Sequence, residues 1–356
     1  MAPLVYPSHR CRKRFLQHAR TRFNSLLSRF QQALDEQLAH VACKQAHRDL
    51  SQRLTGALVD GETVTFEDEG ALSAYTLKRL RPRSRALFEV LLAVDSAEVL
   101  SSLLRSCRAA TQQGRELRIA SLGGGPAFDL VALLATLESL CFAISQEPDV
   151  AMTGEGCDPG DLVALQCAIR CTVLDLFPSW SSAVAAVGDV SSKIWSRQSP
   201  EFLELLAPVD LRSSDCQEII DAVCKADVVI AAYVLHENEA AILGEDGVQG
   251  AFPQIFRHLP LDVPLIFLDA THRLWPQLVA SAEAVSRDSL RAIIPEGLGS
   301  HIHAALLLKG TRMPTTSTTD CRRQLDAFTA HQQANQARLK KLQGRKSASV
   351  LDIDGS

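Results

Sequence analysis

Residues 1–34 contain no aspartate or glutamate, and the ten cysteines contain no Cys-x-x-Cys pair. Cys167 and Cys171 stand four apart without a second pair at metal spacing, which argues against a zinc site. The thiols therefore read as reduced and mostly buried, in a reducing compartment. No compact apolar segment opens the chain, which argues against a secretory signal. No apolar run is read as approaching the about 20 residues of a membrane span. The acid-free, arginine-rich start also fits a mitochondrial presequence, so the expected compartment is cytoplasmic or nuclear, with mitochondrial import as the alternative. Aromatic residues are scarce, at 5%, while 46% of the 356 residues are hydrophobic, enough for one large core or two domains.

Charge is plentiful but uneven. Residues 1–34 hold seven Arg/Lys, and residues 311–356 hold eight against four aspartates. The stretch between them has a net charge of −15. Lys78, Arg79, Arg81, Arg83 and Arg85 place five cations within eight residues, around Pro82. Basic arms on an acidic body point to an anionic partner, and solvated helix faces are the alternative. For the 78–85 cluster the alternative is a solvated helix end broken at Pro82.

The chain is organised around one stretch. A short apolar strand, Leu117–Leu122, runs into Gly123, Gly124 and Gly125, and Pro126 and Ala127 then open an apolar helix. Strand, glycine turn and helix form a ligand-binding turn in doubly wound α/β domains. Glycines admit close backbone approach, and the N–H groups at the helix start favour electron-rich ligand atoms.

Apolar periodicity predicts one or two helices over 11–58 and helical structure over 71–110. Asp161–Ile169 reads as a helix. Later strands are expected at Cys171–Phe177, within Phe202–Leu211, at Asp227–Tyr233 and Pro264–Asp269, and finally at Arg291–Ile294 and Ile302–Lys309. Ser179 is expected to cap the helix after the second strand. The first five strands alternate with helices, so the fold expected is α/β. It is a Rossmann-like, doubly wound, mostly parallel seven-stranded sheet with an N-terminal helical cap. The expected organisation is a helical region over 1–110, a core over 111–310, and a polar linker, helix and loose tail over 311–356.

The glycine run does not satisfy the dinucleotide pattern, because Phe128 stands where a small residue is needed. It fits G-x-G-x-G with Ala127 in the last place. Here the chain resembles the class I S-adenosylmethionine-dependent methyltransferase family, over roughly 117–309. The motifs are SLGGGPA, VLDLFPSW, VDL, DVVIAAYVLHE and FLDA, in that order. The resemblance implies S-adenosylmethionine as cofactor, held at Gly123, Gly124, Gly125 and Tyr233. It implies Asp175 on the ribose hydroxyls, and Asp210 and Leu211 at the adenine. His236 or Glu237 is the candidate catalytic base, with a strand cap and helix start as the alternative. His272, His301 and His303 are assigned structural or surface roles ahead of site roles.

Three positions depart from the family pattern. Ser121 stands where the family has an acid, Ala127 where it has a glycine, and Asp175 lies 52 residues beyond Gly123. Were the second strand Asp149–Thr153 instead, Glu155 would take the ribose role. The end of the fourth strand carries neither Asn-Pro-Pro-Tyr nor cysteine, which disfavours adenine amino methylation and the covalent cytosine route. SLGGGPA, VLDLFPSW and AYVLHE also resemble a branch that includes ribosomal-RNA uridine methyltransferases. The expected activity is methyl transfer to RNA, with contact through the 78–85 cluster and the basic N-terminal helix. The alternatives are a non-catalytic assembly or binding protein on the same fold, a small-molecule O-methyltransferase, and a nicotinamide oxidoreductase.

Overall fold

A computed structural model describes residues 8–60, 66–147, 167–195, 201–213, 217–235, 250–286, 290–299, 301–310, 322–330 and 333–334. Four helices come first: α1 (His9–Leu38), α2 (Lys44–Asp60), α3 (Glu69–Leu92) and α4 (Ala97–Gln112). The core continues as β1 (Leu117–Leu122), α5 (Phe128–Gln146), β2 (Ile169–Leu174), α6 (Ser181–Ile194), β3 (Leu203–Leu206), α7 (Gln217–Lys225) and β4 (Val228–Ala232). It closes with α8 (Ala251–His258), β5 (Pro264–Asp269), α9 (Trp275–Ser286), β6 (Leu290–Ile293) and β7 (His303–Lys309).

The strand order is β3-β2-β1-β4-β5-β7-β6. β7 runs antiparallel to both β5 and β6, and the other pairings are parallel. This is an α/β Rossmann-like sheet. Strand β1 lies between β2 and β4, so the chain reverses its winding there, and the crevice at the carboxyl ends of β1 and β4 is the topological switch point.

Alternation along the strands divides the core in two. Leu117, Ile119, Cys171, Val173, Val228 and Ile230 face one side, against α1 and α3 to α6. Ala120, Leu122, Leu174, Val229 and Ala231 face the other, against α7, α8 and α9. Helix α5 lies between α1 and the sheet, which is why it is apolar all round. It is long and apolar enough to cross a membrane, contrary to the expectation from sequence, but 83% of that window is buried in the protein. Helix α1 buries Phe15, Phe23, Phe30 and Leu34 along one stripe and is capped by the Ser8 hydroxyl on the Cys11 N–H at 3.1 Å. Helices α1, α3 and α4 thus share one core with the sheet.

Several boundaries differ from expectation. Helix α3 runs through Pro82, as the periodicity over 71–110 expects and against the alternative of a helix end broken there. Pro82 is exposed, whereas Leu80, Leu87, Phe88 and Leu91 on the other face are fully buried, and that burial outweighs the about 3 kcal/mol of an internal proline. Strand β2 starts at Ile169, where a helix was expected, and residues 161–166 lie outside the described residues. Strand β3 ends at Leu206, so Val209-Asp210-Leu211 follows it rather than closing it. Helix α5 starts at Phe128, not Pro126, because Ala127 is left-handed at φ 63° and cannot continue a right-handed turn. Ser179 caps nothing and gives its hydroxyl hydrogen to the Phe66 carbonyl. Of the expected polar C-terminal helix, 322–330 is helical, and Leu325 and Phe328 pack on the second core.

Candidate active site

The glycine turn occupies the switch point, and packing or backbone conformation demands each glycine. A Cβ on Gly123, whose φ is 60°, would sit 2.5 Å from Val234 Cγ2. On Gly124 it would sit 2.0 Å from Ser121 Oγ; on Gly125 it would only touch the Trp180 ring at 3.4 Å, and there the left-handed φ of 48° is what requires glycine. Ala127 carries the left-handed cost of about 1–2 kcal/mol that a glycine would avoid.

Asp175 immediately follows β2, the strand that pairs with β1 along its full length. This assigns the second-strand acid to Asp175, and Glu155 lies outside the described residues. Its carboxylate is 7% exposed and accepts the N–H of Gly125 at 2.9 Å and of Phe177 at 3.0 Å. Burial pushes its pKa up, and the backbone N–H groups of Phe177, Gly125 and Leu176 oppose that. A carboxylate offers about four acceptor sites, so capacity remains for ligand hydroxyls.

Ser121 is fully buried and gives its hydroxyl hydrogen to Asp129 Oδ2 at 2.6 Å. Asp129, in the first turn of α5, is 5% exposed, and burial raises its pKa to about 6 against the Ser121 hydrogen bond and the Arg83 charge. A buried acid therefore stands on the helix side of the turn, eight residues after Ser121. Sequence reading missed Asp129. The signal was an acid near the start of an otherwise apolar helix.

Tyr233 closes β4 with φ 63°, a left-handed conformation strained for any side chain with a Cβ, and its N–H reaches the Leu268 carbonyl at 2.7 Å. Over its ring, 4.1 Å from the centroid, sits the Arg83 guanidinium. The same guanidinium lies 5.2 Å from the Tyr75 ring and 6.0 Å from the Phe128 ring. Tyr75 in turn packs on Trp180, with centroids 5.7 Å apart. Aromatic faces and a guanidinium attract one another. The turn thus brings together Gly123 to Gly125, Asp175, Asp129, Tyr233 and Arg83.

The other expected residues are engaged by the protein itself or lie outside the described residues. Asp210 is held by its neighbour Arg212 through Nε at 2.8 Å and Nη2 at 2.9 Å, which lowers its pKa. Leu211 is buried in the second core with Val209 and Val234. The Val209 N–H bonds the Asp175 carbonyl at 2.8 Å, which keeps this loop beside the β2 end. His236 and Glu237 lie outside the described residues. The His272 and His303 rings lie tilted at 58° with centroids 5.2 Å apart near Asp269, and the ring of Phe328 in the C-terminal helix has its centroid 4.2 Å from that of His272. His301 is exposed.

Of the five clustered cations, Lys78, Arg79, Arg81 and Arg85 are exposed and Arg83 is half-buried. Arg85 donates to Asn24 at 2.8 Å. On α1, Arg14 pairs with Glu147 at 2.7 Å, Arg20 with Glu89 at 2.7 Å, and Arg22 with Glu138. These three arginines hold the first helix to α5 and α3.

No protein-family model matches the sequence, and no curated protein is significantly similar to it. Solved structures of similar shape include the bifunctional kinase-methyltransferase WbdD, at 13% identity over 60% of this chain and 39% of that one, TM-score 0.31. A precorrin-6y C5,15-methyltransferase from Geobacter metallireducens matches at 12% identity over 57% of this chain and 87% of that one, TM-score 0.29. CrArsM, an arsenic(III) S-adenosylmethionine methyltransferase from Chlamydomonas reinhardtii, matches at 13% identity over 56% and 64%, TM-score 0.30. The match spans less than two thirds of the first and third of these proteins.

Proposed function

We propose that this chain is an S-adenosylmethionine-dependent methyltransferase whose acceptor is RNA. The observation that carries the cofactor assignment is the pair of buried acids at the switch point, Asp175 and Asp129 on either side of the glycine turn. The cofactor carries an ammonium, a sulfonium, a carboxylate and a ribose diol, so two acids complement its net positive charge and its hydroxyls. A phosphate-bearing dinucleotide would meet those acids unfavourably.

The residues divide the work. Asp175 holds the glycine turn through the Gly125 N–H and keeps acceptor capacity for the ribose hydroxyls. Asp129, oriented by Ser121, faces the ammonium. Tyr233 and the strand end it closes frame the acceptor. Asp210 and Leu211 flank the adenine, with Arg212 orienting the Asp210 carboxylate. When bound, the cofactor supplies an electrophilic methyl for in-line displacement, so positioning provides much of the rate. His236 or Glu237, which follow Leu235 directly, accept the acceptor's proton where it has one. The RNA assignment rests on the exposed Lys78, Arg79 and Arg81 beside this site, and the motifs shared with the uridine branch point to a base of ribosomal RNA.

Calorimetry with S-adenosylhomocysteine tests the cofactor: wild type binds, and Asp175→Ala loses at least tenfold in affinity. Transfer of labelled methyl into RNA, protein and small-molecule fractions tests the acceptor, with His236→Ala and Glu237→Gln run alongside. No binding by a well-folded sample, or no effect of Asp175→Ala, sinks the proposal. A second reading, cofactor binding without transfer, is favoured by the extent to which Asp175 and Asp210 are already engaged by the protein's own donors. Binding without label in any fraction would establish it.

A further inference from the structure

Arg83 stands apart from the other arginines of the fold. Arg14, Arg20, Arg22, Arg115, Arg170, Arg212 and Arg291 each meet a carboxylate. Arg83 meets three aromatic rings, and among the described residues no acceptor takes its N–H groups. Ring faces attract the charge of a guanidinium but leave its fork of five donors unspent. Asp129, the carboxylate whose charge it feels, is occupied by Ser121. Arg79 lies four residues earlier, hence on the same face of α3, and its charge also acts on Tyr233. Two guanidinium groups therefore lead outward from the Tyr233 ring, the inner one half-buried and the outer one exposed.

We propose that Arg83, backed by Arg79, seats a backbone phosphate of the RNA acceptor over Tyr233, so that α3 selects which nucleotide enters the site. This rests on the methyl-transfer reading. A planar fork suits the bidentate geometry of a phosphate, and the rings fix its plane before the ligand arrives. A bare guanidinium beside a sulfonium repels it, whereas a guanidinium neutralised by phosphate does not. The cluster of five cations thereby separates: Arg83 and Arg79 face the site, while Arg85 is tied to Asn24.

The test uses the full chain, with Arg83→Met, Arg83→Lys and Arg79→Met. The probes are a short fluorescein-labelled single-stranded RNA, the same sequence on an uncharged morpholino backbone, and S-adenosylhomocysteine. Arg83→Met and Arg79→Met each weaken the RNA roughly five- to tenfold and lower the salt slope of binding by about 1. Arg83→Lys keeps the slope but not the full affinity, because the fork is lost. The morpholino binds all forms alike, and S-adenosylhomocysteine affinity stays within about twofold. Unchanged RNA affinity and slope in Arg83→Met overturn the proposal. So does an equal loss for S-adenosylhomocysteine, which would mean that the guanidinium holds the cofactor's own carboxylate. Wild-type protein that binds no S-adenosylhomocysteine refutes the methyl-transfer reading and removes the acceptor site with it. The lysine variant, which retains charge and stem, guards against loss of fold in the methionine variant.

Discussion

Replacing Asp129 by asparagine should make the protein's stability less dependent on pH. Asp129 is buried with one hydrogen bond from Ser121, and its pKa is raised to about 6. An unfolded aspartate titrates near about 3.9. Below that value both states carry the proton and the residue costs nothing. As pH rises through about 6 the folded state must hold a buried charge, and stability falls. The difference of about 2 pH units, at about 1.36 kcal/mol each, comes to about 3 kcal/mol at neutral pH. The amide of the Asp129→Asn variant cannot ionise, so the variant's stability relative to wild type should rise by about 3 kcal/mol between about pH 4 and pH 7.5. A constant offset of about 1–3 kcal/mol either way depends on whether the new amide N–H₂ finds an acceptor, but it does not change with pH. Urea unfolding of both proteins across that range measures the difference directly, and the Asp175 contribution, which falls with pH for the same reason, cancels because it is present in both. Curves that stay parallel within about 0.5 kcal/mol would refute the buried-carboxylate argument, and with it the case that Asp129 is held at a cost for a cationic ligand.

Gly124→Ala should destabilise by about 2–3 kcal/mol, since its Cβ would fall 2.0 Å from Ser121 Oγ; adding Ser121→Ala should recover part of that, read as a coupling in a double-mutant cycle. Gly114→Ala is the control: its φ is also left-handed, at 62°, but nothing lies within 4 Å, so only the backbone cost of about 1 kcal/mol should appear in denaturant melts. Pro82→Ala should stabilise by about 1–2 kcal/mol by restoring a helix hydrogen bond on an exposed face; a neutral or negative value in thermal melts would mean that α3 needs its proline.

Local pattern made the sheet legible. Strands such as Val228–Ala232 and Pro264–Asp269 are buried on both faces, so their apolar runs identify them without any knowledge of neighbours. The glycine turn was legible for a similar reason, because left-handed backbone and tight packing require glycine wherever the chain continues. Boundaries failed where a tertiary contact overrode local preference. Ile169 reads as the end of a helix, but it opens β2 because it pairs with Leu117 of β1 in the sheet.

The chain's periodicity and motif order determined by themselves that this is a doubly wound α/β protein with a glycine turn after its first strand. Each of those signals spans a few residues, and physical chemistry acts on them locally. Only the tertiary structure decided what the turn is made of. Asp129 became its acid because Ser121, eight residues away, faces the same buried side of β1. Arg83 became a site residue because α3 packs beside α5 and brings the guanidinium over the end of a strand 150 residues further on. Burial, orientation and charge pairing depend on which distant segments meet, and no spacing along the sequence encodes that meeting.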